Sequence, residues 1–187
     1  DYLASVFLAS VVKALRSGAP NAQLLVHPLG PEYDFEKALA NGDLNIVIGN
    51  WPEPPEHLHI APLLEDEIVC LMDKKHPLAG TTMTRDQYLH APHVVPLPFS
   101  STHRGVIDRH LASLRVTRNA RVIVPFFSMA PYMLAGSDLI FTISRHFAQY
   151  YARLLPLAAV PCPIDFPRMR FYQIWHGRNH NSGAHKW

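Results

Sequence analysis

The sequence predicts an α/β protein built as two successive lobes, on three observations. First, Ile68 to Met72 is a continuous apolar run with β-branched members, too short for an independent helix. Such a run reads as a strand covered on both faces. Second, charges close it at each end, Glu65, Asp66 and Glu67 before it and Asp73, Lys74 and Lys75 after it. His76-Pro77 then blocks a helical continuation, because proline pushes the preceding residue out of the α region. Third, helix-period segments and short strand-like runs alternate with brief connections on both sides of this run. The run therefore reads as the crossing between two α/β units, with Asp66 at the mouth between them.

In order along the chain, Leu3, Val6, Phe7, Ala9, Ser10, Val11, Ala14 and Leu15 mark one face of a helix. Asp1 is its expected N-cap, and Gly18-Ala19-Pro20 its stop. Ala22 to Val26 is a short strand. Glu32 to Asn41 is a helix that Gly42 ends, with Phe35, Ala38 and Leu39 inward. Leu44 to Ile48 is the next strand. Helix–strand–helix–strand with short links predicts parallel pairing. A proline-rich loop, Trp51 to Pro55, and the segment His57 to Leu64 lead to the crossing strand.

Beyond His76, Thr84 caps a helix over Arg85 to Leu89, and Val94-Val95 is a strand stopped by Pro96 and Pro98. Ser100, Ser101 and Thr102 form a capping cluster for a helix from His103 to Leu114, with Val106, Ile107, His110, Leu111 and Leu114 inward. Arg121 to Val124 is a further buried strand. Ser128 caps a helix over Met129 to Ala135, which Gly136 closes. Leu139 to Ile143 is a strand, Arg145 to Leu154 a helix, and Phe171 to Trp175 a strand returning to the first lobe. A last helix starts at Ser182. The lobes are then 1–76, 77–166 and, returning to the first, 167–187.

The 187 residues are 48% apolar, enough for real cores. The net charge of +2 and a pI of 8.6 leave no basic footprint for nucleic acid or a membrane surface. No stretch approaches the roughly 18–20 apolar residues that span a bilayer. No signal peptide is visible, and because the chain starts at Asp1 without methionine, a leader or a whole domain can precede it. The two cysteines, Cys70 and Cys162, leave a disulfide open, while such sparse usage fits a reducing cytoplasm.

Candidate site residues cluster where expected strands run into helix N-termini: Asp1-Tyr2, Ser100 to His103 and Phe127-Ser128. Open α/β sheets take ligands beyond the carboxyl ends of their strands. Helix N-termini offer unpaired N–H groups and partial positive charge. Ser100, Ser101, Thr102 and Ser128 add hydroxyls there, although each can also merely cap its own helix. His103, in the expected first turn, is disfavoured as a cation by the helix dipole and suits a neutral donor or acceptor. Tyr2, Phe7, Phe99, Phe126 and Phe127 offer an apolar slot for an aromatic ligand, or core packing.

Metal and catalytic signals are weak. His57-x-His59 places two rings on one face of an extended strand, yet no Cys-x-x-Cys or His-Glu-x-x-His is present. Scattered solvent histidines account for His57, His59, His90, His93, His176, His180 and His185 better than a metal site. No Gly-x-Ser-x-Gly elbow and no glycine-rich phosphate loop appear. The Ser144/His146 and Ser101/His103 neighbours do not make a triad. No cofactor is expected.

The order of helix, Gly18-Ala19-Pro20, strand, Gly42-Asp43-Leu44-x-Ile46-x-Ile48-Gly49, crossing strand and His76-Pro77-Leu78-Ala79 resembles the effector-binding domain of LysR-type transcriptional regulators. Val124-Pro125-x-Phe127, Ser137-Asp138-Leu139-Ile140, Arg145-x-Phe147-Ala148 and Trp175-His176 bring it nearest to the naphthalene-degradation and nodulation regulators. The resemblance covers essentially the whole chain. It implies a type II periplasmic-binding-protein-like fold, two Rossmann-like lobes joined by two crossing strands, with a small inducer in the inter-lobe cleft. Inducer contacts carry over to Phe7, Asp66, His103, Pro125 and Phe127.

Two departures stand out. The first strand, the winged helix-turn-helix and its linker helix are absent from this stretch, so DNA is expected to be bound only through that missing part. Asp66 stands where related sensors carry histidine or a neutral polar residue, and an ionised carboxylate there favours a phenol over an aromatic carboxylate. The expected function is thus an inducer-sensing regulatory domain, cytoplasmic, dimeric or tetrameric and not an enzyme. A solute-binding receptor of the same fold and a small α/β hydrolase are the alternatives.

Overall fold

The computed structural model describes Tyr2 and residues 7–29, 33–50, 55–97 and 105–187. They form two compact units, one from the described residues of 1–28 and 67–167, the other from those of 29–66 and 168–187. The chain passes from one unit to the other at Pro28–Leu29, at Asp66–Glu67 and again at Pro167–Arg168. These bounds differ from the sequence grouping: the residues before Leu29 group with 67–167, and the passage into 67–167 falls before the apolar run rather than after His76.

Unit one is organised around β3 (Ile68–Asp73), the middle of an antiparallel sheet. β6 (Phe141–Ser144) lies on one side of it and β7 (Leu157–Pro161) on the other. Alternate side chains leave a strand on opposite faces. Val69 and Leu71 accordingly enter one core with Phe141, Ile143, Phe147 and Leu157. Cys70 and Met72 enter a second core with Tyr88, Ile107, Leu111 and Ile140. Both faces of the strand are covered, which is why its apolar run is continuous. β7 has no counterpart in the sequence reading; its alanines and terminal prolines give a weak strand signal that an edge position tolerates.

β4 (Pro92–Pro96) and β5 (Asn119–Val124) pair in parallel, joined by α4 (Val106–Ser113) in the expected strand–helix–strand manner. β5 is an edge strand with Ile123 62% exposed, so the expectation of a buried strand there fails. α3 (Arg85–His90) starts in a capping box: Thr84 Oγ1 accepts from the Gln87 amide at 3.2 Å and Gln87 Oε1 from the Thr84 amide at 2.8 Å. α4 begins at Val106 with Gly105 as its N-cap; the expected start at His103 and its hydroxyl cluster lie outside the described residues. Ile107 and Leu111 are its buried residues, whereas Leu114 is 43% exposed. A 3-10 turn (Phe127–Met129) precedes α5 (Ala130–Leu134). Ser128 sits inside that turn instead of capping the helix. α6 (Arg145–Leu154) matches its expected bounds and buries Phe147, Ala148 and Tyr151.

At the start of the chain, α1 covers Leu8–Gly18 and buries no residue. Its N-cap is Phe7, without a side-chain bond; Asp1 and residues 3–6 of the expected helix lie outside the described residues. Residues 22–26 form no strand, and Leu24, Leu25 and Val26 are exposed. A strand needs a hydrogen-bonded neighbour, and no strand among the described residues pairs with this segment.

In unit two, β8 (Met169–Trp175) is central and pairs antiparallel with β1 (Val47–Gly49) and β2 (His59–Asp66). The expected parallel pairing is thereby replaced by an antiparallel one to a strand from the far end of the chain. α2 (Phe35–Asn41) is capped by Asp34, whose Oδ1 accepts from the Lys37 amide at 3.0 Å. Gly42 ends it at φ 89°, and a Cβ there would lie 2.6 Å from Arg178 Nη1. Leu39, Val47, Leu58 and Ile174 form this unit's core. α7 (Gly183–Lys186) follows Ser182, as the sequence indicates.

Candidate functional site

The end of β6 gathers the candidate side chains of unit one. The strand closes at Ser144 and passes directly into α6, so the first turn of that helix faces the strand end. Tyr2 lies against this corner. Its ring stacks on Phe147, centroids 5.2 Å apart, and meets Phe127 edge-on at 5.8 Å. Its hydroxyl is hydrogen-bonded to Ser144 Oγ. Ser144 and Phe147 are fully buried, whereas Tyr2 and Phe127 are half-buried and form the outer layer. Offset and edge-on ring pairs of this kind are worth about 0.5–1.5 kcal/mol beyond area burial.

Beside this corner, the main chain of Arg145 donates from its amide to the Glu67 carbonyl at 2.8 Å. The Arg145 guanidinium reaches the Glu67 carboxylate, with Nε at 2.9 Å. The pair is nearly half exposed on each side, so it contributes little to stability. It places a cation and an anion at the point where β3 begins and β6 ends.

Of the sequence candidates, Tyr2 and Phe127 are brought together. Phe7 is half-buried at the N-cap of α1, and Pro125 is exposed past the end of β5. Phe126 is 54% exposed, which takes it out of the expected aromatic slot. Asp66 is the last residue of β2, opposite Met169 and 3% exposed. Asp1, Phe99, Ser100, Ser101, Thr102 and His103 lie outside the described residues. Ser144 and Phe147 were missed as site residues. Their one sequence signal was the abrupt change from strand to helix at Ser144-Arg145.

Among the described residues, no group of three or more His, Cys, Asp or Glu side chains is placed to hold a metal ion. His57 lies in a turn before β2 and bonds Glu36 at 3.0 Å. His59 instead stacks on His180, centroids 4.0 Å apart. The expected pairing of these two rings on one strand face therefore does not occur. Ser144 is buried against Tyr2, which gives a hydrolase reading no exposed nucleophile at this position. No helix among the described residues is long and apolar enough to cross a membrane.

The LysR substrate binding domain model matches residues 1–187. Nodulation protein D 2 of Rhizobium tropici is 31% identical over 188 residues, covering all of this chain and 59% of that protein. The transcriptional activator NahR of Pseudomonas putida is 25% identical over 181 residues, 97% of this chain and 60% of its own. The chain thus spans about three fifths of the length of these relatives. In fold, it superposes on the regulatory domain of MexT, a transcriptional activator in Pseudomonas aeruginosa, with a TM-score of 0.83 over the whole chain and 90% of that domain, at 24% identity. The fold is that of the effector-binding domains of these regulators, of type II periplasmic-binding-protein kind. From end to end, this chain belongs to the LysR substrate-binding domain family, on the side of the nodulation and naphthalene-degradation regulators.

Proposed function

We propose that the chain is the sensing part of a longer cytoplasmic regulator that controls transcription in response to a small aromatic molecule. DNA is contacted through a helix-turn-helix elsewhere in that regulator, and the chain itself carries no enzymatic activity. The observation that supports an aromatic effector is the half-buried Tyr2–Phe127 layer over the Ser144 corner. It offers ring faces to an apolar ligand, while the adjacent helix start of α6 and the Arg145 guanidinium supply donors. The ligand residues proposed are Tyr2, Phe7, Asp66, Pro125, Phe127 and Ser128. Asp1, Ser100, Ser101, Thr102 and His103 join them on sequence grounds alone. We further propose that the domain works as a homodimer, with exposed Val11 and Val12 of α1 and neighbouring Leu24 to Val26 as the apolar surface.

Calorimetry with phenol, benzoate, salicylate and cyclohexanecarboxylate tests the reading. At least one aromatic compound is expected to bind clearly better than its saturated counterpart. Phe127→Ala should weaken that binding about tenfold, the loss of one ring contact of about 1.4 kcal/mol. Equal binding of the saturated acid, or an affinity unchanged in Phe127→Ala, refutes the aromatic site.

A further inference from the structure

We propose that Cys70 and Cys162 form a reversible redox couple, closing a disulfide that ties the outgoing end of β7 to the central strand of unit one. The proposal does not depend on the effector reading. In the β3–β7 ladder Cys70 stands opposite Val160, so Cys162, two residues further on, is its diagonal neighbour on the same face. Both side chains pack in the same core with Met72, Tyr88 and Ile107. Both thiols are free, and neither is in a disulfide.

Diagonal neighbours lie about 7 Å apart along the ladder, and a disulfide wants Cα atoms at about 4.4–6.8 Å. Closure therefore needs only a small approach. Cys162 can supply it, because it lies one residue past the last paired position of β7. Cys70, held between two strands, stays in place.

The two thiols are unequal in a way that assigns their roles. Cys70 is fully buried, and burial pushes its thiol well above the ordinary value. Cys162 is half-buried, and the bond from Cys70 pulls its thiol down, helped by the Ile164 amide and the Arg118 guanidinium. That guanidinium is itself buried, and its Nη1 makes no hydrogen bond among the described residues. Cys162, the more exposed of the two, is thus the thiol that meets the oxidant.

With a hydroperoxide as oxidant, the Cys162 sulfur attacks the terminal peroxide oxygen. The O–O bond breaks, the alcohol or water leaves, and Cys162 becomes a sulfenic acid. The Cys70 sulfur then attacks the Cys162 sulfur; the S–O bond breaks and hydroxide leaves, taking the Cys70 proton as water. A dithiol reductant reverses the bond by exchange. The disulfide would fix the start of the 162–167 segment that leads into β8.

The test uses the 187-residue chain, reduced and then treated with hydrogen peroxide. Both thiols should disappear together, without crosslinked dimers. A tryptic digest should then contain residues 38–74 joined to residues 154–168, and dithiothreitol should release them. Cys162→Ser should slow oxidation of Cys70 by about tenfold or more, since the buried thiol loses its exposed partner. Cys70→Ala should leave Cys162 as a sulfenic acid that dimedone captures. If that variant does not fold, the Cys162→Ser rate still decides, because its position is half-buried and outside the strand. Oxidation of Cys162 with Cys70 remaining a free thiol, loss of thiols only through links between chains, or Cys70 oxidation unaffected by Cys162→Ser would each overturn the proposal.

Discussion

Acid should weaken unit one through a single buried ring, that of His93. The side chain is fully buried on β4. Nε2 donates to the Tyr88 carbonyl at 2.7 Å, and the ring meets the Tyr88 ring edge-on at 4.8 Å. Nδ1 is buried and makes no hydrogen bond among the described residues. Burial pushes the imidazole from 6.5 to about 4, against the opposing pull of the Tyr88 carbonyl and with help from Arg118. Between those values the unfolded chain carries a proton that the folded chain refuses. Stability is therefore complete above about pH 6.5, is lost as pH falls toward about 4, and stops falling there.

At 1.36 kcal/mol per pH unit, that interval corresponds to about 3 kcal/mol, a large share of a domain's total stability. Denaturant unfolding of the wild type and His93→Gln from pH 7 down to about pH 4 measures it. Other titrating groups cancel in the difference between the two proteins. That difference should shrink by about 3 kcal/mol across the interval, the variant being the less pH-sensitive of the two. A difference that stays constant within about 1 kcal/mol would show that the buried ring accepts its proton without penalty, and would refute the reasoning.

Two further outcomes are expected. Asp108→Ala should destabilise unit one by about 3 kcal/mol, because Arg118, whose side chain is 3% exposed, then loses the carboxylate held at 2.8 and 2.7 Å. Arg118→Met with Asp108→Ala should recover much of that loss in thermal unfolding. For the proposed homodimer, sedimentation should show two-fold association that Val12→Glu with Leu25→Glu abolishes without lowering the melting temperature. A monomer at high micromolar concentration in the wild type removes that surface.

Some of this molecule could be read directly from neighbouring residues. The apolar run Ile68 to Met72 announced a strand covered on both faces, and Val69 to Asp73 are all buried. Thr84 gave a helix start, Gly42 a helix end, and Arg145 to Leu154 a whole helix, because caps and helical periods are set within a few residues. The motif order also pointed to the LysR family, which the whole-chain match bears out.

Other features depend on partners that no local window contains. β1 and β2 turned antiparallel because their neighbour, β8, arrives from the end of the chain. Leu24 to Val26 have strand-like residues and no strand, since none of the described strands pairs with them. Tyr2 reaches Ser144 across 142 positions, and the two thiols meet only because β7 lies beside β3. Propensity and periodicity fix which stretches can be strands or helices. Which strand lies beside which, and therefore which side chains share a corner, is decided by hydrogen-bond pairing and core packing across the folded chain.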